Sequence, residues 1–280
     1  MTTLITGARG TIARTITGLL HSAGHHVRAA SARPAELTVP PGVEGVELAL
    51  GRPETFAAAL SGVRRVFLYP EPAGISAFVE AAEAAGVEHV VLLSSASVLE
   101  SGAAVDPLAS HSLRLERALA DADFTVTLLR PDAFAGNALG WAHFIARGLP
   151  VPLAYPEARI APIHPTDIAD IAVHALTGDS LAGRALTLTG DRSLTFREQL
   201  AIIAETIGRP VPVAEITREQ AEEQLGRHLP PAMVGSLLDL WARATATPVP
   251  IADTTASLLA TPPRTFAQWT RENAAAFTAR

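Results

Sequence analysis

The chain has 280 residues, 48% of them apolar, enough to build one or two lobes around a sizeable core. Its net charge of −6 argues against a surface for nucleic acid, and no apolar run reaches the about 20 residues of a membrane span. The absence of cysteine removes disulfides and thiolate chemistry, and no basic, cleavable leader precedes the first strand, so a cytoplasmic protein is expected.

The first element carries the strongest signal. Leu4-Ile5-Thr6-Gly7-Ala8-Arg9-Gly10-Thr11-Ile12-Ala13 reads as an apolar strand (3–6), a turn, and a helix (11–23) ended by Gly24. Gly7 permits a tight turn, Gly10 lets backbone approach a pyrophosphate, and Ala13 lets the helix lie close to the strand. The free amides of Thr11 and Ile12 then face the anion. This is a dinucleotide site in outline.

Strand and helix signals then alternate: strand 26–30, strand 46–50, helix 53–60 with proline in its first turn, strand 66–69, and helix 75–85 stopped by Gly86. A fully apolar strand 89–93, helix 108–120 and strand 124–129 follow, and 186–189 supplies a late strand. The pattern predicts an α/β fold, a Rossmann-like doubly wound parallel sheet. After residue 130 prolines cluster, and helices 195–207, 218–225 and 233–244 alternate with short extended pieces. A smaller, mostly helical C-terminal lobe is expected. The division is thus 1–130 for the dinucleotide and 131–280 mainly for substrate, with the strand near 185–190 returning to the sheet.

The end of the second strand decides the cofactor. An NAD site places Asp or Glu there for the ribose 2′-hydroxyl. Here the run is Arg28-Ala29-Ala30-Ser31-Ala32-Arg33, with no acid before Glu36. Ser31 and Arg33, with Arg9 from the glycine loop, suit a 2′-phosphate, because guanidinium binds phosphate through planar paired donors. NADP(H) is expected. The dispersed histidines show no metal-binding spacing.

Taken in order, the Thr-Gly-Ala-x-Gly loop, Gly62-Val63, Val90-Val91-Leu92-Leu93-Ser94-Ser95, Leu129-Arg130-Pro131 with Phe134 and Asn137, Pro165-Thr166-Asp167-Ile168-Ala169, and Pro263-Arg264-Thr265-Phe266 with Trp269 resemble the atypical short-chain dehydrogenase/reductase proteins of the NmrA-like, type-2 quinone reductase-like group. The resemblance spans nearly the whole chain. It implies an NAD(P)-binding fold, in a group that holds both reductases and redox-sensing regulators without turnover.

One departure is chemical. The chain has no lysine, so it lacks the Tyr-x-x-x-Lys pair of many short-chain dehydrogenases, and its only tyrosines are Tyr69 and Tyr155. By spacing, Pro107 takes the tyrosine position and His111 falls near the lysine position, where it can touch the ribose or relay a proton. The resemblance puts Ser95 beside the substrate, as a donor to a developing oxyanion. Ser95 and His111 are therefore the catalytic candidates, while Glu116 buttresses its helix. Another departure is Gly51-Arg52, where relatives often carry an aspartate near the adenine.

The remaining site residues follow the strand ends. Tyr69 and Pro70 pass over the cofactor; Ser94, Pro131 and Phe134 border it; Tyr69, Ser97, Phe134, Asn137 and Trp141 line a substrate pocket. Asn137 and Trp141 are expected about one and two helical turns beyond Phe134, on one face, and Asp167 is expected to cap a helix. The reading is an NADPH-dependent reductase acting on a conjugated or aromatic small molecule (quinone, enone or iminium), as a monomer or homodimer with no nucleic-acid or membrane partner. The rival is a non-catalytic NADP(H) sensor.

Overall fold

The computed structural model describes residues 1–71, 73–259 and 261–278, which form two compact units. The first takes residues 1–105, 109–131 and 165–187; the second takes 106–108, 132–164 and 188–280. Residues 165–184, counted from sequence with the C-terminal lobe, belong with the sheet unit, together with the start of the strand expected near 185–190.

The first unit runs β1 (Thr2–Ile5), α1 (Thr11–Ser22), β2 (His26–Ser31), β3 (Glu44–Glu47), α2 (Phe56–Leu60), β4 (Val63–Leu68), α3 (Ile75–Ala84), β5 (His89–Leu93), α4 (Pro107–Leu119) and β6 (Thr125–Pro131). The sheet order is β3-β2-β1-β4-β5-β6, with the strand Ala185–Leu188 outside β6. Pairings within β1–β6 are parallel. Leu128 N–H donates to the Arg184 carbonyl and Asp132 N–H to that of Leu188, so the outer strand runs the same way. The order reverses between β1 and β4, the switch point beside which such sheets open a crevice.

Strand pleating sorts the core into two layers. Leu4, Val66, Leu68, Val90 and Leu92 pack with Phe56, Leu60, Phe78 and Leu115 from α2, α3 and α4. Ile5, Phe67 and Val91, on the other pleat, are fully buried too. On that side α1 packs against the helix Pro165–Thr177. β5 is buried at every residue, as a central parallel strand covered on both faces must be.

Two boundaries moved for identifiable reasons. β3 lies two residues earlier than its apolar run suggested, because its register puts Glu44 opposite Arg28, whose Nε bonds the carboxylate at 2.8 Å. β4 starts three residues early, through charged Arg64 and Arg65. Arg65 leaves the sheet to donate to the Ala175, Leu176 and Gly178 carbonyls, closing the end of the 165–177 helix. That helix begins at Pro165, so Asp167 is not its cap: it sits in the first turn, fully buried.

The second unit packs the helices Phe196–Ile207, Arg218–Leu225, Pro231–Ala246 and Phe266–Glu272 with two short strand pairs, 151–153 beside 213–215 and 159–160 beside 194–195. Phe196 receives Trp141 and Trp241 edge-on, with ring centres 5.7 and 5.2 Å away. Thr195, Thr217 and Thr265 each begin a helix with a reciprocal capping box. The segment Ala135–Trp141 is a 3₁₀ helix. With three residues per turn, Ala135, Ala138 and Trp141 share the buried face, while Asn137 is exposed elsewhere. The expected common face of Asn137 and Trp141 therefore does not form.

Candidate dinucleotide site

Sequence makes the loop after β1 a turn, and the fold makes it a cradle. Gly7 has φ +62°, which favours glycine, and a Cβ there would lie 2.8 Å from Cβ and Cγ of Tyr69. Gly10 closes the turn by donating to the Gly7 carbonyl at 2.8 Å and is the N-cap of α1, with no side-chain cap on the helix. The first turn of α1 carries no acidic residue. Its amides at Thr11 and Ile12 are thus presented to an anion together with the positive end of the helix dipole.

Thr6, not singled out from sequence, joins the two strands at the switch point. Its amide donates to the Phe67 carbonyl, and its Oγ1 accepts from Tyr69 N–H at 2.7 Å. Tyr69 is thereby held over Gly7 with 47% of its surface exposed. Pro70 follows, and its carbonyl accepts from His111 Nε2 at 3.0 Å. A carbonyl only accepts, so Nε2 carries the proton. His111 thus pins the Tyr69–Pro70 loop from α4 through Nε2.

At the end of β2 the expected cations assemble. Arg33 Nη1 and Arg9 Nη1 lie 2.9 and 3.3 Å from the two carboxylate oxygens of Glu36. Arg52 pairs with Glu47 at 2.6 Å and donates to the Ala32 carbonyl. Ser31 is buried, and its Oγ accepts the Arg33 amide at 3.2 Å, which shapes the turn that presents Arg33. Glu36 and Arg52 were missed as members of this cluster. Glu36 is only three residues from Arg33, but its pairing with Arg9 and the placement of Arg52 come from separate loops.

Beyond β5, the serines divide. Ser94 is 4% exposed, and its hydroxyl donates to Glu116. Its hydroxyl is thus committed to the helix behind it, which leaves the Ser94 backbone to border a cofactor. Glu116 also receives Arg130 through Nε at 2.9 Å and Nη2 at 2.6 Å, so one buried bidentate pair ties β5, β6 and α4 together. Ser95 caps the short turn Ala96–Leu99 by accepting the Ser97 amide, and its Oγ lies 2.9 Å from Ser97 Oγ. In the pair, one hydroxyl proton bridges the two oxygens and the other can be offered outward. In the second unit, Phe134 is half-buried, Asn137 exposed, and Trp141 half-buried, packed edge-on against Phe196 at the margin of the core.

Comparisons with known proteins agree with this geometry. The family model described as NAD(P)H-binding matches residues 7–179, from the glycine loop to the end of the first unit's last helix. The chain is 36% identical over 279 residues to the (4-alkanoyl-5-oxo-2,5-dihydrofuran-3-yl)methyl phosphate reductase of Streptomyces griseus subsp. griseus, covering 98% of each. It is 30% identical over 290 residues to the NAD(P)H azoreductase of Xenophilus azovorans, again over 98% of each. In fold it matches the NADPH-dependent quinone oxidoreductase of Escherichia coli complexed with NADPH, with a TM-score of 0.81 at 21% identity over 97% and 99% of the two chains. The glycine cradle, the uncapped helix start and these matches carry one conclusion: the chain belongs to the NAD(P)H-binding family, as an NAD(P)H-dependent oxidoreductase.

Proposed function

We propose that the chain is an NADPH-dependent reductase whose acceptor is an electron-poor double bond conjugated to a carbonyl. A bound nicotinamide supplies the hydride. Gly7, Gly10 and the amides of Thr11 and Ile12 hold the pyrophosphate, Arg9 and Arg33 hold the 2′-phosphate, and Tyr69 covers the crevice.

One observation carries the choice of acceptor. With no lysine in the chain and His111 Nε2 given to Pro70, no strong proton donor stands where a ketone reductase keeps its tyrosine and lysine. An isolated ketone takes up a proton at its oxygen as hydride reaches carbon. A conjugated acceptor instead becomes an enolate, stabilised by delocalisation and by one hydrogen bond, and solvent protonates it afterwards. Ser95 is the residue we assign to that hydrogen bond. The S. griseus relative is named for a substrate of this type, a butenolide bearing an alkanoyl group, which supports an enone over an iminium or a quinone.

The test is NADPH oxidation with a panel of alkanoyl butenolides, cyclic enones, quinones, cyclic imines and simple ketones. Turnover should be highest with the conjugated carbonyls and negligible with ketones. Faster reduction of ketones than of enones overturns the acceptor class. Tight NADPH binding without turnover on any acceptor favours the sensor reading.

A further inference from the structure

We infer that Glu36 is an internal competitor for the 2′-phosphate and sets how strongly this chain discriminates NADPH from NADH. The inference rests on the assignment of Arg9 and Arg33 to that phosphate. Glu36 closes the single turn Pro34–Glu36 directly after β2, its amide bonded to the Arg33 carbonyl at 3.1 Å. From that turn each carboxylate oxygen takes a different guanidinium, Oε1 that of Arg33 at 2.9 Å and Oε2 that of Arg9 at 3.3 Å.

The two arginines arise from separate loops, and their like charges repel. The carboxylate between them offsets this repulsion and brings two donors to bear on one anion. A phosphate presents the same paired oxygens with more charge, so it can displace the carboxylate. Both arginines and Glu36 are about half exposed, and exposed ion pairs are weak. The competition therefore lowers NADPH affinity without abolishing it.

NADH gains nothing from displacing Glu36, since it has no phosphate to offer, while its 2′-hydroxyl can donate to the carboxylate. Glu36 thus narrows the gap between the two dinucleotides from both sides. The end of β2 carries no acid, but the tertiary structure returns one to the place where an NAD site keeps it.

The experiment is calorimetric titration of the full chain with NADPH and with NADH, for the parent and Glu36→Gln, each alone and in an Arg9→Ala/Arg33→Ala background. Glu36→Gln should tighten NADPH about three- to tenfold and leave NADH unchanged or weaker. In the double-alanine background it should no longer tighten NADPH, because the competition for the phosphate acts only through those arginines. Unchanged or weaker NADPH binding overturns the inference, as does equal tightening of NADH, which signals a general field on the pyrophosphate. If Arg9→Ala/Arg33→Ala leaves NADPH binding intact, the phosphate assignment itself fails. If that pair weakens NADPH while Glu36→Gln does not tighten it, only the competition fails. Glu36 sits on an exposed surface turn, and thermal melting verifies that the variant folds.

Discussion

At Gly7 two demands coincide, a left-handed backbone and the Tyr69 ring where a Cβ would lie, so Gly7→Ala damages the turn whether or not a ligand is present. Gly10 differs. Its φ is ordinary, and an added Cβ would meet only the Gly7 carbonyl at 3.3 Å. Gly10→Val should therefore retain its circular dichroism spectrum yet lose NADPH binding, because the branched side chain stands where the pyrophosphate belongs. Arg33→Ala should weaken NADPH roughly ten- to hundredfold, and NADH much less, as measured by fluorescence titration. His89 gives a pH prediction. Burial is the main cause that lowers its pKa, the nearby Arg65 charge adds to it, and Asp179 opposes both. Thr127 uses its hydroxyl proton on the Leu181 carbonyl, so its oxygen accepts from His89 Nε2, which places a proton on that nitrogen, while burial favours the neutral ring. A histidine held neutral in the folded state stabilises fully above its unfolded pKa of about 6.5, and the contribution is lost as pH falls from there through the lowered folded value. Urea unfolding between pH 7.5 and 5.5 should show this loss, with a slope of up to about 1.4 kcal/mol per pH unit from this one group. His89→Asn should flatten it.

Among the elements, α4 does the most to shape the crevice. Its His111 holds Pro70, and its Glu116 holds Ser94 and Arg130, so one helix fixes the loops after β4 and β5 and the end of β6. Glu116→Leu leaves Arg130 largely buried without its carboxylate, and should cost about 3–5 kcal/mol in chemical denaturation. His111→Gln keeps an N–H for the Pro70 carbonyl, whereas His111→Ala does not. If the bond to Pro70 is what matters, turnover should fall in His111→Ala and recover in large part in His111→Gln, with NADPH affinity within a few-fold in both. Sequence read His111 by its spacing from Pro107 and so looked for a relay. The structure gives it a partner 41 residues away, which no local pattern encodes. In the second unit, Thr195 accepts the Glu198 amide while Glu198 returns to the Thr195 amide, and that backbone bond is the main cause that lowers the Glu198 pKa. Thr195→Ala should lower stability by about 1 kcal/mol, read from thermal melting.

At the scale of the whole molecule, the reading of a conjugated acceptor depends on an absence spread over all 280 residues, since one lysine in the right place would reverse it. Ser95→Ala probes the same point from the other side. Loss of one donor to a developing oxyanion typically lowers the rate by about a hundred- to a thousandfold. A delocalised enolate should suffer less, so turnover of an enone by Ser95→Ala should fall by roughly tenfold, with KM little changed. Steady-state kinetics on an enone and a quinone separates a hydrogen-bonding role from mere shape. No helix among the described residues is long and apolar enough to cross a membrane.

The alternation of apolar strands and amphipathic helices, the glycine loop and the basic end of β2 are local patterns with local physical causes, and from them the sequence by itself determined the fold and its NAD(P)H-binding character. What tertiary structure alone decided are the pairings between distant loops. Thr6 latches to Tyr69, Glu36 bridges Arg9 and Arg33, Ser94 turns away to Glu116, and His111 reaches Pro70. Trp141 shows the same limit on a smaller scale. A helical period of 3.6 put it beside Asn137, whereas the 3₁₀ turn that forms lays it, half-buried, against Phe196. Hydrogen bonds and ion pairs depend on where atoms come to rest within about 3 Å of each other, and only the assembled chain fixes that distance.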